Sequence, residues 1–295
     1  MKGNFMAIQN YVIYMDVSGD IDPLYARENN VRFIPMDYSL GNEMRKCEAM
    51  EPKDILKKFY DGQRGGELTK TTQISPYMYE SYMDTIMADG TSVLYLSLSS
   101  GLSSTFSSAC IARSALEEKH PDAKFIPIDT LAATGGMGVL CERAVNNKKK
   151  GMSLEENAED IMAATHRIRH WFLVQDLMYL RRGGRIGTAT AAIGTMLNVK
   201  PILKIDVDGT LVTINKKRGN KQAVLDLIAN YENSRDPEST EPVYVIDADD
   251  EEIGNSIEIA LIEKYPGIKI RRCTLSPIIG AHTGPGMAAI CHLGK

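Results

Sequence analysis

Cysteine is scarce and unpatterned. The five residues Cys47, Cys110, Cys141, Cys273 and Cys291 are odd in number, and none stands in C-x-x-C spacing. That excludes a complete disulfide framework and a zinc ribbon, and predicts reduced core thiols of a cytoplasmic protein. Basic excess is missing too: 34 Lys and Arg stand against 38 Asp and Glu, a formal net charge of -4. A general nucleic-acid binder needs clustered Lys and Arg, so that class is set aside. The start, MKGNFMAIQNYVIYMDVSGD, has no long apolar run, so neither a signal peptide nor a transmembrane helix is read. The chain has no G-x-x-x-x-G-K-[ST], and Gly135-Gly136-Met137-Gly138 is out of register for G-x-G-x-x-G. Nothing calls for a metal or a cofactor. Only six Phe and one Trp stand beside 15 Met, which predicts a soft, adaptable interior.

What is present is an ordinary globular balance, 43% hydrophobic and 24% charged over 295 residues. The first half alternates strand and helix. Tyr11 to Met15, Val31 to Pro35, Ser92 to Leu98 and Lys124 to Ile128 read as strands. Ser75 to Met87, Thr105 to Lys119 and Gly138 to Asn146 read as helices, the first capped by Ser75 with Pro76 at its first position. This succession predicts a parallel sheet covered by helices. Lys148 to Gly151 is the candidate boundary between an N-terminal α/β domain, 1–150, and a C-terminal α+β domain, 151–295. Ser153 and Glu156 form a capping box opening a helix to about His170. Beyond it come a strand at Trp171 to Val174, a small-residue helix at Thr188 to Leu197, and a hairpin turning at Asp208-Gly209. A helix at Lys221 to Asn230, a strand at Val243 to Ile246, a helix at Ile253 to Lys264 and a strand at Ile268 to Cys273 follow. Gly280 to Gly286 reads as a loop.

Several segments carry chemistry-bearing residues. Ser97 to Thr105 is hydroxyl-rich and lies between a buried strand and a helix. Ligands in parallel sheets sit at carboxyl strand ends, and a helix start attracts anions, so this is a candidate carboxylate or phosphate site. Thr69 to Ser75 is a second hydroxyl-rich loop, for which capping is the simpler reading. Tyr179 to Gly187 holds Arg181, Arg182 and Arg185 among three glycines. His282 stands between glycines in a stiff late loop and is not expected in the core; His120, His166, His170 and His292 read as surface or packing residues.

Together these pieces resemble the DegV family: the strand-end hydroxyls, the Tyr179-Leu180-Arg181-Arg182-Gly183-Gly184-Arg185-Ile186-Gly187 loop, the start Lys200-Pro201, and Gly280-Ala281-His282-Thr283-Gly284-Pro285-Gly286. The resemblance runs from Asp16 to Gly286. It implies a two-domain fold, a buried long-chain fatty acid, and a role as acyl-carrying subunit for a separate fatty-acid kinase. The family's T-S-Q-P loop falls on Thr71-Thr72-Gln73-Ile74, and its S-S-x-L-S-G-T loop on Ser99 to Thr105. Departures are Ile74 for Pro, Ser104 for Gly and Gly136 for a polar residue. The implied ligand set is Thr71, Thr72, Ser99, Ser100, Ser103, Ser104 and His282, the 280–286 loop returning to that site. Arg181, Arg182 and Arg185, with Lys216, Lys217 and Arg218, form a candidate docking face for an acidic partner or, transiently, a membrane surface. The rival reading is a Ser103–His282 lipid or ester hydrolase, against which G-x-S-x-G and an obvious third acid are missing.

Overall fold

A computed structural model describes residues 10–49, 51–187 and 198–295. The helix expected at Thr188 to Leu197 lies outside the described residues. Four strands, β1 (Tyr11–Asp16), β2 (Arg32–Ile34), β6 (Ser92–Ser97) and β7 (Phe125–Asp129), form a parallel sheet in the order β2-β1-β6-β7. β1 and β6 are buried along their full length, which is why they read as near-continuous apolar runs. Helices Pro76–Met87 and Thr105–Lys119 have the expected bounds, and the Ser75 hydroxyl accepts from the Met78 amide.

A small antiparallel sheet, β4-β3-β5, was not expected; it consists of β3 (Met36–Leu40), β4 (Glu43–Cys47) and β5 (Thr69–Thr71). Its signal is Gly41-Asn42, a two-residue turn with Gly41 at φ 58°. The Thr69 segment is therefore strand before it is loop. Helix Lys53–Arg64 follows β4, also unanticipated.

The second sheet is mixed, in the order β10-β9-β8-β13-β11-β12. Its strands are β8 (Ile168–Leu173), β9 (Val199–Ile205), β10 (Leu211–Arg218), β11 (Val243–Asp247), β12 (Ile270–Thr274) and β13 (Ala288–Leu293). β9 and β10 are the antiparallel hairpin that Asp208-Gly209 predicts. The capping box at Ser153 and Glu156 is present, but its helix, Leu154–Thr165, ends before His170, which belongs to β8. The C-terminal Ala288–Leu293, a short buried apolar run, is an interior strand between β8 and β11.

Two glycine-rich stretches differ from expectation for a shared reason. Gly280 to Thr283 is not loop but the end of a short helix, Pro277–Thr283, opened by Pro277 and stopped by Gly284 at φ 75°. The glycines after β7 lie inside helix Thr134–Lys149, which begins before the expected Gly138. Packing explains them. A Cβ on Gly135 would lie 2.6 Å from the Tyr244 side chain, one on Gly136 2.0 Å from His170 Nε2, and one on Gly138 2.6 Å from the Asp20 carbonyl. The helix thus brings its backbone against β11, β8 and the loop after β1, and one continuous core runs from Tyr11 and Tyr95 to Tyr244 and Ala289.

Gly136→Ala separates propensity from packing. Helix propensity alone favours alanine by about 0.5–1 kcal/mol. The clash with the His170 ring is an overpacking cost of about 1–3 kcal/mol and should win. Urea unfolding should report a net loss; an equally stable variant would mean that the ring moves aside freely.

Candidate functional site

The hydroxyl loop after β6 is held from beneath by a carboxylate. Asp16, fully buried at the end of β1, accepts from the Leu98 amide at 2.8 Å, the Tyr95 hydroxyl at 2.8 Å and the Ser18 amide at 3.1 Å. Burial pushes its pKa up, against the pull of those hydrogen bonds. Asp20 accepts from the Thr134 hydroxyl at 2.5 Å and the Ser276 amide at 2.9 Å, and burial raises it to about 7. One short stretch after β1 therefore fixes the Leu98 loop, the start of helix Thr134–Lys149, and the segment that leads to His282.

His282 is placed by three hydrogen bonds from two elements, helix Lys53–Arg64 and β5. The Tyr60 hydroxyl donates to the Leu275 carbonyl, Gln63 Nε2 to the Gly280 carbonyl, and the Thr69 hydroxyl to the Ala281 carbonyl. Its Nε2 then lies 2.8 Å from Thr71 Oγ1, joining residues 211 positions apart. Nδ1 is buried without a hydrogen-bond partner and abuts Gly183, where a Cβ would approach to 2.2 Å. Burial, and then the Arg185 charge, lowers the His282 pKa to about 4, so the imidazole is neutral at pH 7.

A cavity of about 490 Å³ opens between these loops and the second sheet, within the size range of small-molecule sites. Met36, Leu98, Phe172, Leu180, Ile205 and Leu211 supply much of its apolar lining. Thr71, Thr72, Ser100, Ser103, Ser104 and His282 all line it too, so six of the seven expected ligand residues converge. Ser99 does not. It is fully buried and donates to the Gly209 carbonyl at 2.8 Å, which seats the β9–β10 turn on the loop. Ser103 pairs with Thr105 at 2.9 Å and His282 with Thr71, so no Ser103–His282 hydrogen bond is formed to support a hydrolase.

The cationic residues divide. Arg185 is not a free docking residue: it is half-buried, lines the cavity and donates to the carbonyls of Leu102 and Gly183. Lys217 is paired with Asp226 at 2.9 Å. Arg181, Arg182, Lys216 and Arg218 are exposed. His170, expected to be a packing or surface residue near a helix end, is buried on β8 and lines the cavity; burial holds it at about 3. Among the thiols, Cys47, Cys141 and Cys291 are buried, but Cys110 is exposed on helix Thr105–Lys119. Among the described residues no group of His, Cys, Asp and Glu could hold a metal ion, and no helix is long and apolar enough to cross a membrane.

Parallel and mixed sheets joined by a glycine-faced helix, with a cavity between them lined by apolar side chains, hydroxyls, an imidazole and Arg185, define an α/β protein with a candidate ligand site. Across residues 10–295 the chain matches the family model described as "Uncharacterised protein, DegV family", and it belongs to that family. It is 32% identical over 289 residues to the DegV domain-containing protein YteA of Lactococcus lactis, covering 97% of this chain and 98% of that one. It is 30% identical over 287 residues to a DegV domain-containing protein of Clostridium perfringens, with the same coverage. Among solved structures, DegV from Bacillus subtilis, described as a fatty acid binding protein, matches at TM-score 0.82 and 27% identity, over 97% of this chain and all of that one. A Thermotoga maritima protein described as revealing fatty acid binding function matches at 0.83 and 25%, with the same coverage. The Streptococcus pneumoniae Fatty Acid Kinase B3 protein, loaded with linoleic acid, shares the fold at 0.84 and 20%, again with that coverage.

The lowered His282 pKa has a sign that can be checked. The unfolded imidazole titrates near 6.5 and the folded one at about 4. Between those values the native state binds fewer protons, so the contribution is present above about pH 6.5 and is lost as pH falls toward 4. Relative to His282→Gln, the parent should lose about 2 kcal/mol between pH 7 and pH 5 in urea unfolding. A pH-independent difference would mean that the ring titrates as in the unfolded chain.

Proposed function

We propose that this chain binds one long-chain fatty acid in the 490 Å³ cavity and presents its carboxylate to a separate kinase subunit in the cytoplasm. The observation that carries the reading is the joining of an apolar lining to a rim of hydroxyls, with Arg185, around the Thr71–His282 bond. The fatty acid binding named for the Bacillus subtilis and Thermotoga maritima proteins supports it. Thr71, Ser103 and His282 hold the carboxylate, with Thr72, Ser100 and Ser104 as helpers. In the tautomer that fits, the single N–H of the neutral His282, on Nε2, donates to Thr71 Oγ1; His282 thus orients the carboxylate through Thr71, whose hydroxyl proton is free for the ligand. The kinase supplies ATP and Mg²⁺; the binding chain supplies position. Arg181, Arg182 and Arg218 contribute docking charge.

Native mass spectrometry of the purified chain should show a bound mass of fatty-acid size. Each buried methylene is worth about 0.8 kcal/mol gross, so palmitate, with about eight more than octanoate, should bind at least 100-fold tighter. Equal affinities would sink the acyl reading. His282→Ala should cost about 1.5–3 kcal/mol of palmitate binding with the fold intact.

The kinase role is tested separately. With ATP, Mg²⁺ and oleate, acyl phosphate should form only after a kinase subunit is added. Arg181→Glu and Arg218→Glu should slow it, most at low salt. Acyl phosphate made by this chain alone would overturn the presenting role.

A further inference from the structure

The acyl cavity has a neighbour. A second cavity, of about 380 Å³, shares Thr71, Arg185 and His282 with the first, so these three residues form the partition between them. Beyond the partition its charge is one-sided. Lys70, Arg182 and Arg185 line it against a single carboxylate, Glu67, whose Oε2 lies over the Gly41 and Gly62 backbone. None of the three cations has a carboxylate partner among the described residues. Arg182 donates through Nε to the Met178 carbonyl and stacks on Tyr179 at 4.7 Å; among the described residues its terminal nitrogens meet no partner. Arg185 spends Nε on the Leu102 carbonyl and one terminal nitrogen on the Gly183 carbonyl; among the described residues the other has no partner. Arg64, Arg143 and Arg272 each meet a carboxylate, whereas Arg169 and Arg235, like these three cations, meet no Asp or Glu among the described residues; what sets Lys70, Arg182 and Arg185 apart is that they converge on one cavity. Unpaired guanidinium forks around a cavity are a recognition surface for a multi-oxygen anion.

We infer that this second cavity is an oxyanion compartment that receives the phosphoryl group of an acyl phosphate, while the acyl chain stays in the first. The inference rests on the fatty-acid reading. In the transfer, a carboxylate oxygen bonds to the γ-phosphorus of ATP as the bond from that phosphorus to its bridging oxygen breaks, and ADP leaves with the electron pair. The head group then has three more oxygens and more negative charge than the carboxylate had. In the first cavity Arg185 is the one Lys or Arg in the lining; the second adds Lys70 and Arg182. Thr71 and His282, facing both, stand where the carboxyl carbon and the phosphorus would be joined.

The test uses the purified chain without a kinase. Calorimetry compares palmitate with a non-hydrolysable acyl phosphonate of the same chain length; phosphorus NMR follows inorganic phosphate. The parent should bind the phosphonate at least tenfold tighter than palmitate, and the gap should shrink with salt. In Lys70→Gln/Arg182→Gln the gap should fall below threefold, with palmitate affinity changed less than twofold. The single variants, each expected to lose part of the gap, serve if the double one does not fold. An equal gap in parent and variants, or none in the parent, overturns the inference and leaves acyl binding standing. Inorganic phosphate bound as tightly as the phosphonate would make free phosphate the occupant and also overturns it. Phosphate binding that depends on Lys70 and Arg182 in a chain that binds no palmitate would remove the fatty-acid reading instead, and with it the acyl phosphate assignment.

Discussion

Two carboxylates buried at the end of β1 hold the molecule's working parts in place. A lone ion there would cost several kcal/mol, so each is surrounded by donors. For Asp16 they come from Leu98, Tyr95 and Ser18; for Asp20, from Thr134 and Ser276. These donors sit on different segments: the hydroxyl loop, the glycine-faced helix and the lead into the His282 helix. Taking away either carboxylate would leave buried donors orphaned on two separate segments. The raised Asp20 pKa, about 7, measures how incompletely the hydrogen bonds offset desolvation. Asp20 contributes most in acid, below its unfolded pKa, and that contribution fades as pH rises through about 7.

The glycines around this centre answer to approach, not flexibility. Gly136 makes room for His170, Gly183 for His282, and Gly101 meets Gly209, where a Cβ would lie 2.6 Å from backbone carbon. Gly209 itself, at φ 77°, leaves space for the Ser99 hydroxyl. The hairpin turn at Asp208-Gly209 is thereby latched to the hydroxyl loop. A local turn signal in the sequence turns out to have a tertiary function, because the same glycine both turns the chain and admits the serine.

Much of this was legible. The parallel strands announced themselves as apolar runs, the hairpin through Asp-Gly, and two helices through Ser-Pro and Ser-x-x-Glu caps. The convergence of Thr71, Ser103 and His282 was readable through family resemblance, since periodicity says nothing of contacts across 211 positions. Other features were hidden for physical reasons. Strand β5 has only three residues, too short to show alternation. Gly135, Gly136 and Gly138 argue locally against a helix, and tertiary packing overrides them. Ser99 looks like its neighbouring serines; only burial shows that its hydroxyl is already engaged. Arg185 reads as surface charge but is drawn inward by two carbonyls, and charge and periodicity alone do not separate it from Arg181.

The distribution of charge also bears on why a histidine stands at the rim. A lysine at position 282 would hold a carboxylate by an ion pair and, in the proposed transfer, withdraw electron density from the oxygen that attacks phosphorus. A buried imidazole, kept near pKa 4, is neutral and can orient the carboxylate without neutralising it. Lys70 and Arg182 are kept one step away, where new negative charge would arise after transfer, and only Arg185 reaches both cavities. In the proposed function, mainly neutral groups thus face the nucleophile, and the cationic charge increases toward the product. The low His282 pKa follows from burial and from Arg185 together, so the cation of the second cavity helps keep the imidazole of the first uncharged.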